Sequence, residues 1–141
     1  MKALTVAKYI LQSQDQEDPD ITNLKLQKLL YYAQGFFIAK YGVAIFDDDI
    51  EAWQQGPVVP TVYQQYKTSG SSIIPLPQEA VSLEIDDEQI AFLHEVLGVH
   101  SQYSAWALRE MTYQELPWKL AFNNGKTIST ESLGDFFRER L

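Results

Sequence analysis

The sequence predicts a mainly α fold: a compact, single-domain helical bundle with room for one small β-hairpin. Three observations carry that reading. Apolar residues recur at three- and four-residue steps in several separate stretches. Those stretches are bracketed by residues that start and stop helices. Strict apolar–polar alternation, the mark of a strand, is confined to a few positions. With 141 residues, 45% of them apolar and 13% aromatic, the chain fits one domain and can bury one sizeable core. No internal repeat and no second domain are legible.

The elements follow in order. Over residues 3–12, Leu4, Ala7 and Leu11 share a helical stripe, with Val6 and Ile10 beside it. The acidic stretch Asp15–Asp20 is a loop, because Pro19 lacks a donor and disfavours helix at Asp18. Thr22 is the expected N-cap of a helix from about Asn23 to Tyr41, and Gly42 is its stop. Its apolar positions are Leu26, Leu29, Leu30, Ala33, Phe36 and Phe37. Asp47–Asp49 marks a turn, and Ile50–Trp53 fits either a short strand or one helical turn. Gly56, Pro57 and Pro60 break any continuation. Val59–Lys67 reads as a short helix opened by Pro60. Thr68 through Pro77 reads as an exposed connector, and Val81–Ile85 alternates like a short strand.

Asp86 is the expected N-cap of a helix over 87–98, with Gln89 in the capping-box position and Ile90, Leu93, Val96 and Leu97 facing inward. Residues 102–111 continue helically, with Tyr103, Trp106 and Ala107 inward. Pro117 opens another short helix that ends near Gly125. Ser129 caps a last helix carrying Leu133, Phe136, Phe137 and Leu141 at helical spacing.

Composition narrows the function classes. The chain has no cysteine, which removes disulfides, thiolate nucleophiles and Cys-ligated zinc, and suits a reducing cytoplasm. A net charge of −8, with eleven Lys and Arg scattered along the chain, argues against binding a phosphate backbone. A DNA-reading regulator, the alternative function, would need a basic recognition helix that no segment supplies. No apolar run reaches the roughly 18–20 residues of a membrane span, and the first twelve residues lack a signal-peptide pattern. The expected location is the cytoplasm.

No catalytic set emerges, so no enzyme, cofactor or metal is expected. Asp47–Asp49 with Glu51 fails as a calcium loop, with Ala52 in place of the turn glycine and Val58 in place of the bidentate glutamate. Asp86, Asp87 and Glu88 suit a helix start through the macrodipole alone. His94 and His100 are six residues apart and do not share a helical face. Phosphate loops, dinucleotide fingerprints and a nucleophile elbow are all missing.

The 23–41 helix also carries two mixed strips beside its apolar face: Lys25, Lys28 and Tyr32, and Gln27, Tyr31 and Gln34. Tyr and Trp are common interface anchors. The first strip, joined by Trp53 and Tyr63, is the candidate partner-binding surface: Lys25, Lys28, Tyr32, Trp53 and Tyr63. Gly56 and Pro57 are expected to fix a turn, and Trp53 and Trp118 to fill core.

Three blocks lie in one order: Lys25-Leu-Gln-Lys-Leu-Leu-Tyr-Tyr-Ala33, Glu51-Ala-Trp53 with Gly56-Pro-Val58, Pro60 and Tyr63, and Met111-Thr-Tyr-Gln-Glu-Leu-Pro-Trp118. Together they resemble the Panacea domain family, whose members include SocA-type antitoxins and phage-associated proteins. The resemblance, with the tail helix, covers the chain from about residue 4 onward. It implies an antitoxin that neutralises a cognate protein toxin by direct binding, with service as a proteolytic adaptor to a ClpXP-type protease. Members commonly carry histidine in the late block where this chain has Tyr113. That exchange keeps a hydrogen-bonding group but loses titration near neutral pH.

Overall fold

A computed structural model describes all residues from Met1 to Leu141. Six α-helices surround or extend one central α-helix, and three short strands form a small antiparallel sheet. The helices are α1 (Ala3–Ser13), α2 (Asn23–Tyr41), α3 (Pro60–Gln65), α4 (Asp87–His100), α5 (Ala105–Tyr113), α6 (Leu116–Asn123) and α7 (Thr130–Arg138). The strands are β1 (Ile50–Trp53), β2 (Gly56–Val58) and β3 (Thr127–Ile128), in the order β2-β1-β3.

The central element is α2. Fifteen of its nineteen residues are buried, because α1, α3, α4, α5, α7 and β2 all pack against it. The Thr22 hydroxyl accepts from the Lys25 N–H at its start, and Gly42 ends it in the left-handed conformation, φ 74°. A helix covered on every side must satisfy each polar side chain it takes inside. Gln34 does so by bridging the segment after the helix: its Nε2 donates to the Phe46 carbonyl at 2.8 Å, and its Oε1 accepts from the Ile45 N–H at 2.8 Å. Gln27 accepts from the Val59 N–H at 2.9 Å and donates to Asn23 Oδ1 at 2.8 Å. Asn23 in turn donates to the Tyr63 carbonyl at 3.1 Å. These amides bond backbone groups of Ile45, Phe46, Val59 and Tyr63, on either side of the hairpin.

Several boundaries follow the sequence. Gln89 and Asp86 form the expected capping box, Pro60 opens α3, and Ser129 caps α7. Ile50–Trp53 is a strand, turned through Gln54 and Gln55 into β2 with Trp53 opposite Gly56. Gly56, at φ 112°, takes a backbone conformation that side chains resist.

Other expectations give way to packing. In α1 the buried residues are Ala3, Val6, Ala7, Ile10 and Leu11; Leu4 is only half-buried, at the edge of that stripe. Val81–Ile85 forms no strand: Gln12 Oε1 accepts from the Val81 N–H, and Leu83 drops into the core. The third strand is instead Thr127–Ile128, which pairs with β1 through Ile50 and Glu51. The connector at 68–77 is not wholly exposed, since the Ile74 N–H bonds to the Ile21 carbonyl at 3.0 Å and its side chain is buried. Residues 102–104 are not helical; Ser104 caps α5, and Leu108 and Thr112 face inward, which turns Tyr103 and Trp106 to solvent. Leu141 lies beyond α7 and is exposed. Trp53 and Trp118 sit half-buried at the sheet edge rather than within the core.

The acidic turn has a structural use. Asp48 accepts from the Ala3 N–H at 2.8 Å and from the Thr61 hydroxyl at 2.6 Å, tying the start of α1 to α3. Helix α7 lies so close to α2 that a Cβ on Gly35 would stand 2.3 Å from the Phe137 ring. Gly35→Ala therefore overpacks this crossing and should destabilise the fold by roughly 2 kcal/mol, read as a fall in urea midpoint at unchanged slope. An unchanged midpoint would show that the α2–α7 crossing yields.

Candidate functional site

The first candidate strip does not reach the surface. Lys25, Lys28 and Tyr32 are 3%, 1% and 1% exposed, because α4, α5 and the hairpin cover the face of α2 that carries them. Lys25 Nζ is spent on Asp20 at 2.9 Å and on the Ser101 carbonyl at 2.8 Å. Tyr32 stacks on His100, with ring centroids 4.2 Å apart. The second strip is equally enclosed, with Gln27, Tyr31 and Gln34 all buried. Of the five candidate residues, Trp53 and Tyr63 alone keep partial exposure.

Those two belong to an aromatic group around the hairpin tip. Trp53 meets Tyr63 edge to face at 5.2 Å, and its Nε1 donates to Glu51 at 2.8 Å. Trp118 Nε1 donates to the Trp53 carbonyl at 2.9 Å, and the Tyr113 hydroxyl donates to the Gln54 carbonyl. Tyr113 and Trp118 are in ring contact at 4.6 Å, and Trp118 stacks on Phe122 at 4.6 Å. Tyr113 and Trp118 thus hold the turn from outside. Tyr113 serves here as a hydrogen-bond donor to backbone.

The outer face of α5 continues from this group. Trp106, Arg109 and Tyr113 fall at i, i+3 and i+7, so they lie along one side of the helix. Trp106 is 63% exposed, and the Arg109 guanidinium lies 5.7 Å from the Tyr113 ring centroid. Trp, Arg and Tyr are the residues most enriched among interface hot spots. The signal for this register was in the sequence: Leu108 and Met111 are the aliphatics of that stretch, and a helix facing them inward must face Trp106 outward. An open hollow of about 590 Å³ lies elsewhere, between α6 and α7, lined by Leu116, Leu120, Phe136 and the acids Glu131 and Asp135.

Beneath the α5–α6 joint sits a buried carboxyl. Glu115 accepts from the Tyr31 hydroxyl at 2.9 Å and from the Tyr32 hydroxyl at 3.0 Å. Burial pushes the Glu115 carboxyl up to about 7, although both tyrosine hydrogen bonds and Arg140 pull the other way. Both phenols are raised, chiefly by burial and then by the charge of Glu115. Lys28 is lowered to about 8 by burial and by the nearby charge of Arg109. His100 is lowered by burial against its hydrogen bond to the Val96 carbonyl. No three His, Asp or Glu side chains converge as metal ligands would.

The signs give two measurable outcomes. A carboxyl raised in the folded state stabilises below its ordinary range and loses that contribution as pH rises through about 7. Glu115→Gln should remove a decline of about 2 kcal/mol in unfolding free energy across that window, read by urea titration at several pH values. A lysine lowered in the folded state costs stability while it must be charged, and the cost lifts as pH climbs above about 8. Lys28→Met should therefore stabilise the chain at pH 7 by roughly 1–3 kcal/mol, with the gain fading in alkali. A destabilised Lys28→Met variant at pH 7 would contradict this electrostatic account.

Comparison with known proteins places the fold's central span. The sequence model of the family described as antitoxin SocA-like, Panacea domain, matches residues 26–119, from the first turn of α2 into α6. The chain is 34% identical over 96 residues to the protein named Antitoxin SocA of Caulobacter vibrioides (strain NA1000 / CB15N). That alignment covers 68% of this chain and 48% of the relative, so the chain spans about half the length of the curated relative it matches. No solved structure matches. The outer face of α5, the hairpin tip and Glu115 all lie inside the matched span, and on this similarity the chain belongs to the antitoxin SocA-like, Panacea domain family.

Proposed function

We propose that this chain is an antitoxin that acts in the cytoplasm and neutralises a cognate protein toxin by direct binding. The observation that carries the reading is the match to the family and to a relative named Antitoxin SocA over the span that holds α2, the hairpin and α5. The contact face is the outer side of α5 with the hairpin tip: Trp106, Arg109, Tyr113, Trp53 and Tyr63. Its composition supports this role, since large aromatic side chains and arginine supply most binding energy in protein interfaces. Trp53 and Tyr63 are included because both are partly exposed beside the hairpin tip. Lys25, Lys28 and Tyr32 contribute from behind, by holding that face in position. The finer step is delivery of the bound toxin to a ClpXP-type protease, which would make the chain an adaptor.

Co-expression with the product of the adjacent gene tests the reading. The neighbour alone should arrest growth, and this chain should restore it. A neighbour that is harmless, or that stays toxic beside this chain, would sink the antitoxin assignment. Adaptor action predicts that the toxin's half-life shortens when the chain is present and recovers when the protease's unfoldase is deleted. Trp106→Ala should weaken rescue and complex formation while changing folding stability by no more than about 0.5 kcal/mol, because the ring is mostly in solvent. Undiminished rescue by that variant would move the contact face away from α5.

A further inference from the structure

Lys28 and Arg109 are neighbouring cations, and neither has a carboxylate within hydrogen-bond distance. Lys28 is 1% exposed, and its Nζ makes a single hydrogen bond, to the Leu24 carbonyl at 3.1 Å. An ammonium has three donors, and none of the protein's ion pairs includes Lys28. Its Nζ and the Thr112 Oγ1 each lie 3.4 Å from where a Cβ on Gly56 would stand, so the ammonium is wedged between the hairpin and α5. Arg109 is close enough for its charge to depress the Lys28 ammonium. The Arg109 Nε is buried with no acceptor, and its nearest carboxylate, Glu110, is 3.9 Å away. One helical turn earlier, Lys25 shows the arrangement that satisfies a buried lysine: a carboxylate and a carbonyl, both within 2.9 Å. A chain with nineteen Asp and Glu has placed none beside Lys28. A buried ammonium beside a second cation is costly unless something of opposite charge joins them.

We propose that Arg109, with the Lys28 ammonium buried behind it, forms a docking point for one carboxylate side chain of a protein partner, received at the α5 face between Trp106 and Tyr113. The proposal rests on the partner-binding reading above and names the chemistry it would use. Arg109 is reachable, with 36% of its side chain exposed, and its planar fork suits a carboxylate. A net charge of −8 opposes a phosphate dianion more than a single carboxylate. The exposed Trp106 on the same helix face offers apolar contact to residues flanking that carboxylate, which a free ion cannot use.

The test follows the Lys28 ε-methylene signal by NMR pH titration of the whole chain, with acetate, inorganic phosphate or a terminally capped Ala-Leu-Glu-Leu-Ala peptide added. Acetate and the peptide should each raise the Lys28 titration midpoint saturably, with the peptide acting at lower concentration. Arg109→Gln should weaken both by about tenfold, the loss expected for one charge-assisted hydrogen bond. Circular dichroism would confirm that this variant folds, and Arg109→Lys, which keeps charge but not the fork, should fall between. A Lys28 midpoint unmoved by every probe overturns the site. Phosphate binding tighter than either carboxylate overturns the ligand class, and a peptide no better than acetate overturns a protein source. Because no toxin is present, failure here leaves toxin neutralisation standing, while failure of growth rescue beside a saturable peptide response would remove only the toxin as that partner.

Discussion

The rest of the structure depends on one constraint: α2 is enclosed on all sides, so whatever polar groups it carries must be satisfied inside the protein. An ordinary amphipathic helix sends its polar residues to water. Here Asn23, Gln27 and Gln34 point instead into segments with few backbone partners of their own, and their amides serve as those partners. Residues 44–63 are held both by the sheet and by side chains of one helix. That is how two short strands and a six-residue helix keep a defined position.

The same enclosure sets up the electrostatics. Lys25, Lys28, Tyr31 and Tyr32 are all on α2, and each meets a different fate according to what packs over it. Lys25 finds a carboxylate, the tyrosines share Glu115, and Lys28 meets only a carbonyl and a second cation. Burial amplifies each outcome, because a missing partner cannot be replaced by bulk water. Lys28 and Glu115, both shifted by burial, lie beneath α5 and the joint that follows it. The helix that presents Trp106 and Arg109 outward is therefore seated over ionisable groups whose titration burial shifts, a common setting for function.

Much of the architecture was legible because it is local. Thr22, Gly42, Pro60, Asp86 with Gln89, and Ser129 act on backbone groups within four residues of themselves, so their signals survive without knowledge of the fold. The family resemblance was legible for a similar reason: it is a matter of residue order. Where alternation alone was followed, at Val81–Ile85, the reading failed, since a strand needs a partner edge and Gln12 had already taken the Val81 N–H. In α5 the aromatic residues suggested an inward face, but Leu108 and Thr112 fit the space beside α2, and Trp106 was left outside.

By itself, then, the sequence determined the helical class, most of the caps, the turn at Gly56 and the membership of the family, all properties of neighbouring residues or of their order. Which polar side chains face solvent was decided only by tertiary packing. Lys28 and Trp106 exchanged the places their residue types suggest, the lysine sealed in and the tryptophan exposed. Exposure is a property of what covers a residue, and for α2 the covering comes from α4, α5, α7 and the hairpin, elements distant in the chain.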